Sequence, residues 1–143
     1  MPVDTICPVG VGWRRPFLHE PVRDENSPMK IHRTNTILYC NRWAATVTFY
    51  RDRIKLPVLL RKDWFVEFQL TDNGCLSVAD AARTSVDSAG GAGMTLSWQV
   101  ENIDPFHNRM VSDGIDVSPI TVTWGARAFY LFDPEGNRIE FWA

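Results

Sequence analysis

One order of elements is written twice in this chain, and that duplication limits what it can fold into. From His32 to Cys40 the run HRTNTILYC is rich in β-branched and aromatic residues and reads as a strand. Asn41 stands as an N-cap, and Trp43, Val47, Tyr50 and Ile54 recur at helical spacing until Pro57 forbids continuation. Three short strands follow, around Pro57 to Leu60, Trp64 to Leu70 and Cys75 to Asp80, with the turn signal Thr71-Asp72-Asn73-Gly74 before the last. The order then restarts. Thr95 to Val100 is a strand, Asp104-Pro105 opens a helix carrying Ile103, Phe106 and Met110, and Gly114 stops it. Strands near Ser118 to Trp124 and Ala128 to Phe132 lead to a closing arm. The registers agree: Val100 stands sixty positions after Cys40, and the Gly136 turn sixty-two after the Gly74 turn.

The closing segment FYLFDPEGNRIEFW, residues 129 to 142, reads as a hairpin about Asp133-Pro134-Glu135-Gly136-Asn137, where proline presets φ and glycine accepts φ > 0. On its second arm Ile139 and Phe141 point one way, and Arg138, Glu140 and Trp142 the other. Between the two units, residues 81 to 93, AARTSVDSAGGAG, are small, glycine-rich and aperiodic, which predicts a flexible connector. No glycine-rich nucleotide motif occurs there. Residues 1 to 31 carry five prolines, at 2, 8, 16, 21 and 28, and predict an irregular arm that docks through Trp13, Phe17 and Leu18.

The expected fold is therefore α+β, with tandem βαβββ modules at about 32–80 and 94–143 inside a domain of residues 32–143. With 143 residues, 45% hydrophobic and 22% charged, the chain is long enough to bury one core. A net charge of −2 without a Lys/Arg block gives no footprint for nucleic acid. Cys7, Cys40 and Cys75 are odd in number and widely spaced, which argues against a disulfide framework and a zinc cluster and fits a reducing cytoplasm. No run reaches the length of a membrane span, and the N-terminus lacks a signal-peptide core.

The paired modules, the helix carrying ATVTFYRD, the second strand-helix unit TLSWQVENIDPF and the closing YLFDPEGNRIEFW together resemble the vicinal oxygen chelate superfamily. It includes glyoxalase I, extradiol dioxygenases, fosfomycin-resistance enzymes and bleomycin-resistance proteins. The resemblance covers residues 32 to 143. It implies that the mixed sheets curl into a cup holding the site, and that the protein is a homodimer. It also implies a metal held by two histidines and a glutamate, and by register those positions are Asn35, Thr95 and Glu140 here. Only the glutamate is a metal ligand of the expected kind, so the metal site is degenerate and no cofactor is expected. His32 points to the opposite face from Asn35, His107 falls on the second helix and His19 in the arm. Glu67, Glu140 and Asp80 are the acids open to a weakly held magnesium.

By strand parity the cup would be lined by Asn35, Ile37, Tyr39, Phe65, Glu67, Gln69, Thr95, Ser97, Gln99, Glu140 and Trp142. This polar and aromatic set suits a flat or amphipathic small molecule. Trp64 and Trp98 fall on the helix-facing side. The leading functional expectation is metal-independent binding, resembling bleomycin-resistance-type sequestration. The first alternative is a glyoxalase-like lyase, isomerase or dioxygenase using Glu140 as acid, base or ligand; the second is an interaction module with a closed cup.

Overall fold

Strand β1 (Thr34–Cys40) alternates from exposed residues at its start to buried Leu38 and Cys40, and its backbone is anchored where the Thr34 amide donates to the Asn73 carbonyl at 2.9 Å. The computed structural model describes residues 26–143, and Ile31–Ala143 form one compact unit. The arm expected over residues 1 to 31, with its docking residues Trp13, Phe17 and Leu18, lies almost wholly outside the described residues, as does His19.

Helix α1 (Trp43–Thr48) runs directly into a π-helical turn, Phe49–Arg53. The wider turn is closed by the Ile54 amide on the Phe49 carbonyl at 3.0 Å, and it lets Phe49, Tyr50 and Ile54 all reach the core beside Val47. The sequence reading of one regular helix capped by Asn41 is corrected on both counts. The Asn41 side chain does not cap; the Glu135 carboxylate, from the closing hairpin, accepts from the Asn41 and Arg42 amides at 2.8 Å each.

Strands β2 (Val58–Arg61), β3 (Phe65–Thr71) and β4 (Gly74–Asp80) complete the first module as a sheet in the order β1-β4-β3-β2, with β1 and β4 parallel and the other pairs antiparallel. Strand β5 (Thr95–Gln99), helix α2 (Ile103–Ser112), and strands β6 (Thr121–Thr123), β7 (Ala126–Phe132) and β8 (Arg138–Trp142) repeat the plan, in the order β5-β8-β7-β6. Helix α2 ends as its glycine predicts: Gly114 sits at φ 73°, its amide reaches the Val111 carbonyl and the Ile115 amide reaches Met110, both at 3.0 Å. Strand β6 is shorter than the expected Ser118 to Trp124, because Pro119 has no amide to donate and Trp124-Gly125 forms the turn into β7.

The apolar faces of both sheets and both helices share one core, which includes Leu38, Val66, Phe68, Leu76, Leu131, Ile139 and Phe141. Trp98 packs partly buried against that core, its ring 5.6 Å from Phe141. Edge strands β1 and β5 border each other without pairing. Thr34 and residues Ser97 to Val100 line one cavity at the seam, while Ile37 to Tyr39 and Met94 line another, so the two strands run in opposite senses.

The connector is not the flexible link its composition predicts. Ala81–Arg83 form a short 3-10 turn, and the Ser88 hydroxyl donates to Glu135 at 2.6 Å. Gly91, at φ 83°, lies so close to the Gly136 carbonyl that a Cβ would come within 2.1 Å of its oxygen. The small residues there serve close packing as well as turning.

Candidate functional site

Residues opposite one another on neighbouring strands share a face, so the registers define two polar faces turned away from the shared core. On the first sheet Asn35 stands beside Cys75 and Gln69, Ile37 beside Ser77 and Glu67, and Tyr39 beside Ala79 and Phe65. On the second, Thr95 stands beside Arg138 and Phe132, Ser97 beside Glu140 and Tyr130, and Gln99 beside Trp142 and Ala128. All eleven residues read from strand parity thus lie on these two faces.

Contacts divide them into separate groups. On the first face the Arg33 guanidinium pairs with Glu67 and also donates to the Cys75 sulfur at 2.9 Å, while the Ser77 hydroxyl donates to Asn35 Oδ1 at 2.8 Å. Ile37 and Tyr39 line a cavity of about 240 Å³ whose other wall is the connector, including Asp87 and Gly90 to Ala92. On the second face the Ser97 hydroxyl donates to Glu140 Oε1 at 3.0 Å. Ser97, Glu140 and Trp142 line a cavity of about 300 Å³ with Thr123, Trp124, Ala126 and Ala128. Among the described residues no hydrogen bond or ion pair joins the two groups. Gln99 lines instead the seam cavity of about 620 Å³, with Leu56, Leu70, Trp98, Phe106 and Phe141.

Glu140 does not pair with its strand neighbour. Arg138 lies over the Tyr130 ring, 4.3 Å from its centroid, and its buried Nε has no partner. Two residues of this site escaped the sequence reading. Arg33 pairs with Glu67, which lies 34 positions away, and no local pattern links them. Trp124 reads from sequence as the end of a strand, because the turn it occupies with Gly125 carries no Asn-Gly, Asp-Gly or Gly-Gly signal.

The donors at the positions corresponding to the family metal site do not fit a transition-metal ion. Asn35 Oδ1 is already engaged by Ser77, Thr95 offers only a hydroxyl, and Glu140 is the one carboxylate of the three. His32 is exposed, and His107 Nε2 lies 2.9 Å from the Ser118 carbonyl with its ring edge-on to Phe129. The acids open to magnesium are employed separately: Glu67 by Arg33, and Asp80 by the Ala82 amide at 3.1 Å. Among the described residues no three His, Cys, Asp or Glu side chains converge.

Two βαβββ modules that share one core, each with a second face turned away from it, define a protein of the paired-module class. The family model for the Glyoxalase/Bleomycin resistance protein/Dioxygenase superfamily matches residues 30–141, and the chain belongs to that superfamily. Solved structures agree on the fold. A glyoxalase/bleomycin resistance protein/dioxygenase from Nocardioides is 23% identical with a TM-score of 0.68, covering 82% of this chain and 86% of its own. A lactoylglutathione lyase from Agrobacterium tumefaciens is 23% identical with a TM-score of 0.64, covering 80% and 93%. The antibiotic binding protein TnmS3 from Streptomyces sp. CB03234 is 16% identical with a TM-score of 0.68, covering 80% and 97%. No curated protein matches the sequence. No helix among the described residues is long and apolar enough to cross a membrane.

Proposed function

We propose that this protein binds a small, flat aromatic or amphipathic molecule on the open face of its second module and holds it without altering it. The observation that carries this reading is the cavity in which Glu140, Ser97 and Trp142 meet above Ala126 and Ala128. Small side chains leave room against the sheet, an indole supplies a stacking surface, and a carboxylate with a hydroxyl beside it supplies directed polar contacts. The antibiotic binding protein of the same fold supports the reading as a precedent for the architecture. Residues of the first face, Asn35, Ile37, Tyr39, Phe65, Glu67 and Gln69, then act as the opposite wall, in a cytoplasmic homodimer.

The test is a thermal-shift screen of aromatic antibiotics and metabolites, with recovery of each stabilising compound for mass analysis. A ligand that binds only the native state raises the midpoint by mass action, so a compound at about a hundred times its Kd contributes about 2.7 kcal/mol. Stabilisation by a compound recovered unchanged supports binding, and its loss in Glu140→Gln for compounds with a cationic or hydrogen-bond-donating group ties Glu140 to the contact. Recovery of an altered compound replaces sequestration with catalysis at Glu140. Elemental analysis of chelator-free protein belongs beside it, because near-stoichiometric metal would overturn the metal-independent reading.

A further inference from the structure

We infer that Trp124 is the specificity-determining ring of this site, and that with Trp142 and Glu140 it selects a flat aromatic cation. The inference rests on the binding reading above and assigns the ligand its charge. Strands β6 and β7 pair through Thr123 and Ala126, leaving a two-residue turn of Trp124 at φ 54° and Gly125 at φ 80°. Positive φ at both central positions is the turn that fits hairpin twist, and Asn, Asp or Gly is the residue that takes it without strain. A bulky ring there is an outlier. Packing does not explain it either, because Trp124 is 100% exposed. The residue is strained and unburied, yet it lines the cavity of Glu140 and Trp142. Strain kept at a binding position points to a role in what is bound there.

Charge gives the ligand its sign. Of the two carboxylates on the faces turned from the core, Glu67 is buried and neutralised by Arg33, whereas half-buried Glu140 receives only the Ser97 hydroxyl. Arg138, two residues before Glu140 on the same face, lies over the ring of Tyr130, the residue across the strand from Glu140, and forms no ion pair with the carboxylate. It repels a ligand cation from that end. The favourable place for positive charge is therefore beyond Glu140 toward Trp142 and Trp124, where two indole rings line the cavity and a ring face turned to a cation attracts it. A cavity of about 300 Å³ stands at the lower bound for small-molecule sites and suits a ring system of two or three fused rings.

Equilibrium dialysis with the N-methylacridinium ion and with uncharged acridine at mildly alkaline pH tests this directly, since the two share one ring system. The wild type is expected to hold the cation about tenfold more tightly than acridine. Trp124→Asn, which suits the left-handed turn, is expected to lower cation affinity about tenfold while leaving the melting midpoint unchanged or raised. Glu140→Gln is expected to retain acridine and lose the preference for charge. Equal affinity of the wild type for both probes, or unaltered cation binding in Trp124→Asn, overturns the inference and leaves the binding reading standing. Loss of self-association in Trp124→Asn without loss of affinity also overturns it, by making the ring a subunit contact. A wild type that holds neither probe, nor any compound of the thermal-shift screen, removes the binding reading and this inference together.

Discussion

The Tyr50 hydroxyl donates to Asp133 Oδ2 at 2.7 Å, joining the π-helical turn of the first module to the closing hairpin of the second. Both groups are buried. Asp133 also accepts from the Glu135 and Asn137 amides through Oδ1 and from the Asn137 side chain through Oδ2, so the carboxylate organises the turn that the tyrosine reaches. Burial chiefly, with the Asp133 charge added, holds the Tyr50 phenol well above its ordinary pKa and keeps it a donor. Tyr50→Phe removes one charge-assisted bond and leaves the ring in place. The expected loss is about 1.5–3 kcal/mol, read from urea unfolding as a lower midpoint with unchanged slope.

Glu135 makes the companion contact and adds a pH dependence. Burial alone would raise its pKa, but the Ser88 hydroxyl, the Arg42 and Asn41 amides and the Arg42 charge together outweigh burial and hold it below its ordinary 4.5. A depressed native value means that the contact stabilises the fold fully above 4.5 and is lost as pH falls through the native value. Glu135→Gln should therefore melt below wild type at neutral pH, and the gap should close on acidification. A gap that stays constant with pH would show that the carboxylate charge contributes nothing.

Gly91 fixes the connector against the hairpin turn. A methyl group there would meet the Gly136 oxygen at 2.1 Å and the Asn137 Cα at 2.8 Å, on backbone at φ 83°. Backbone cannot swing aside as a side chain does, so Gly91→Ala is expected to cost about 2 kcal/mol or more. Gly93 is its control: it also has positive φ but open space around its Cβ position, and its alanine variant meets only the conformational penalty. Calorimetric midpoints of the two variants separate crowding from backbone preference.

Much of the architecture was legible because it is written in short-range periodicity. Buried Ile139 and Phe141 beside half-buried Arg138, Glu140 and Trp142 follow from alternation alone, and Val47, Tyr50 and Ile54 from helical spacing. Strand parity likewise put Asn35, Glu67, Ser97 and Glu140 on the open faces. What parity does not carry is partnership. The Arg33 to Glu67 pair, the Glu135 cap on α1 and the tie of Ser88 to Glu135 all join distant segments, and each depends on how elements pack. The glycine-rich connector misled for a related reason. Composition records conformational freedom in the unfolded chain, whereas Gly91 is required by a backbone 45 positions away that only the fold brings near.

Cys40 reports on the same junction from inside the first module. Its side chain is fully buried, and burial, followed by the Glu135 and Asp133 charges, pushes the thiol up to about 12. The thiolate is the reacting form, so at ordinary labelling pH this sulfur offers neither access nor nucleophile. Alkylation of the native protein followed by peptide mapping should leave Cys40 unmodified, and labelling should appear only with global unfolding, tracking denaturant through the transition. Glu135→Gln removes one of the repelling charges but none of the burial, so labelling of that variant should follow its own lowered stability. Rapid native-state labelling of Cys40 would mean that β1 and α1 separate from the closing hairpin without unfolding the rest of the core.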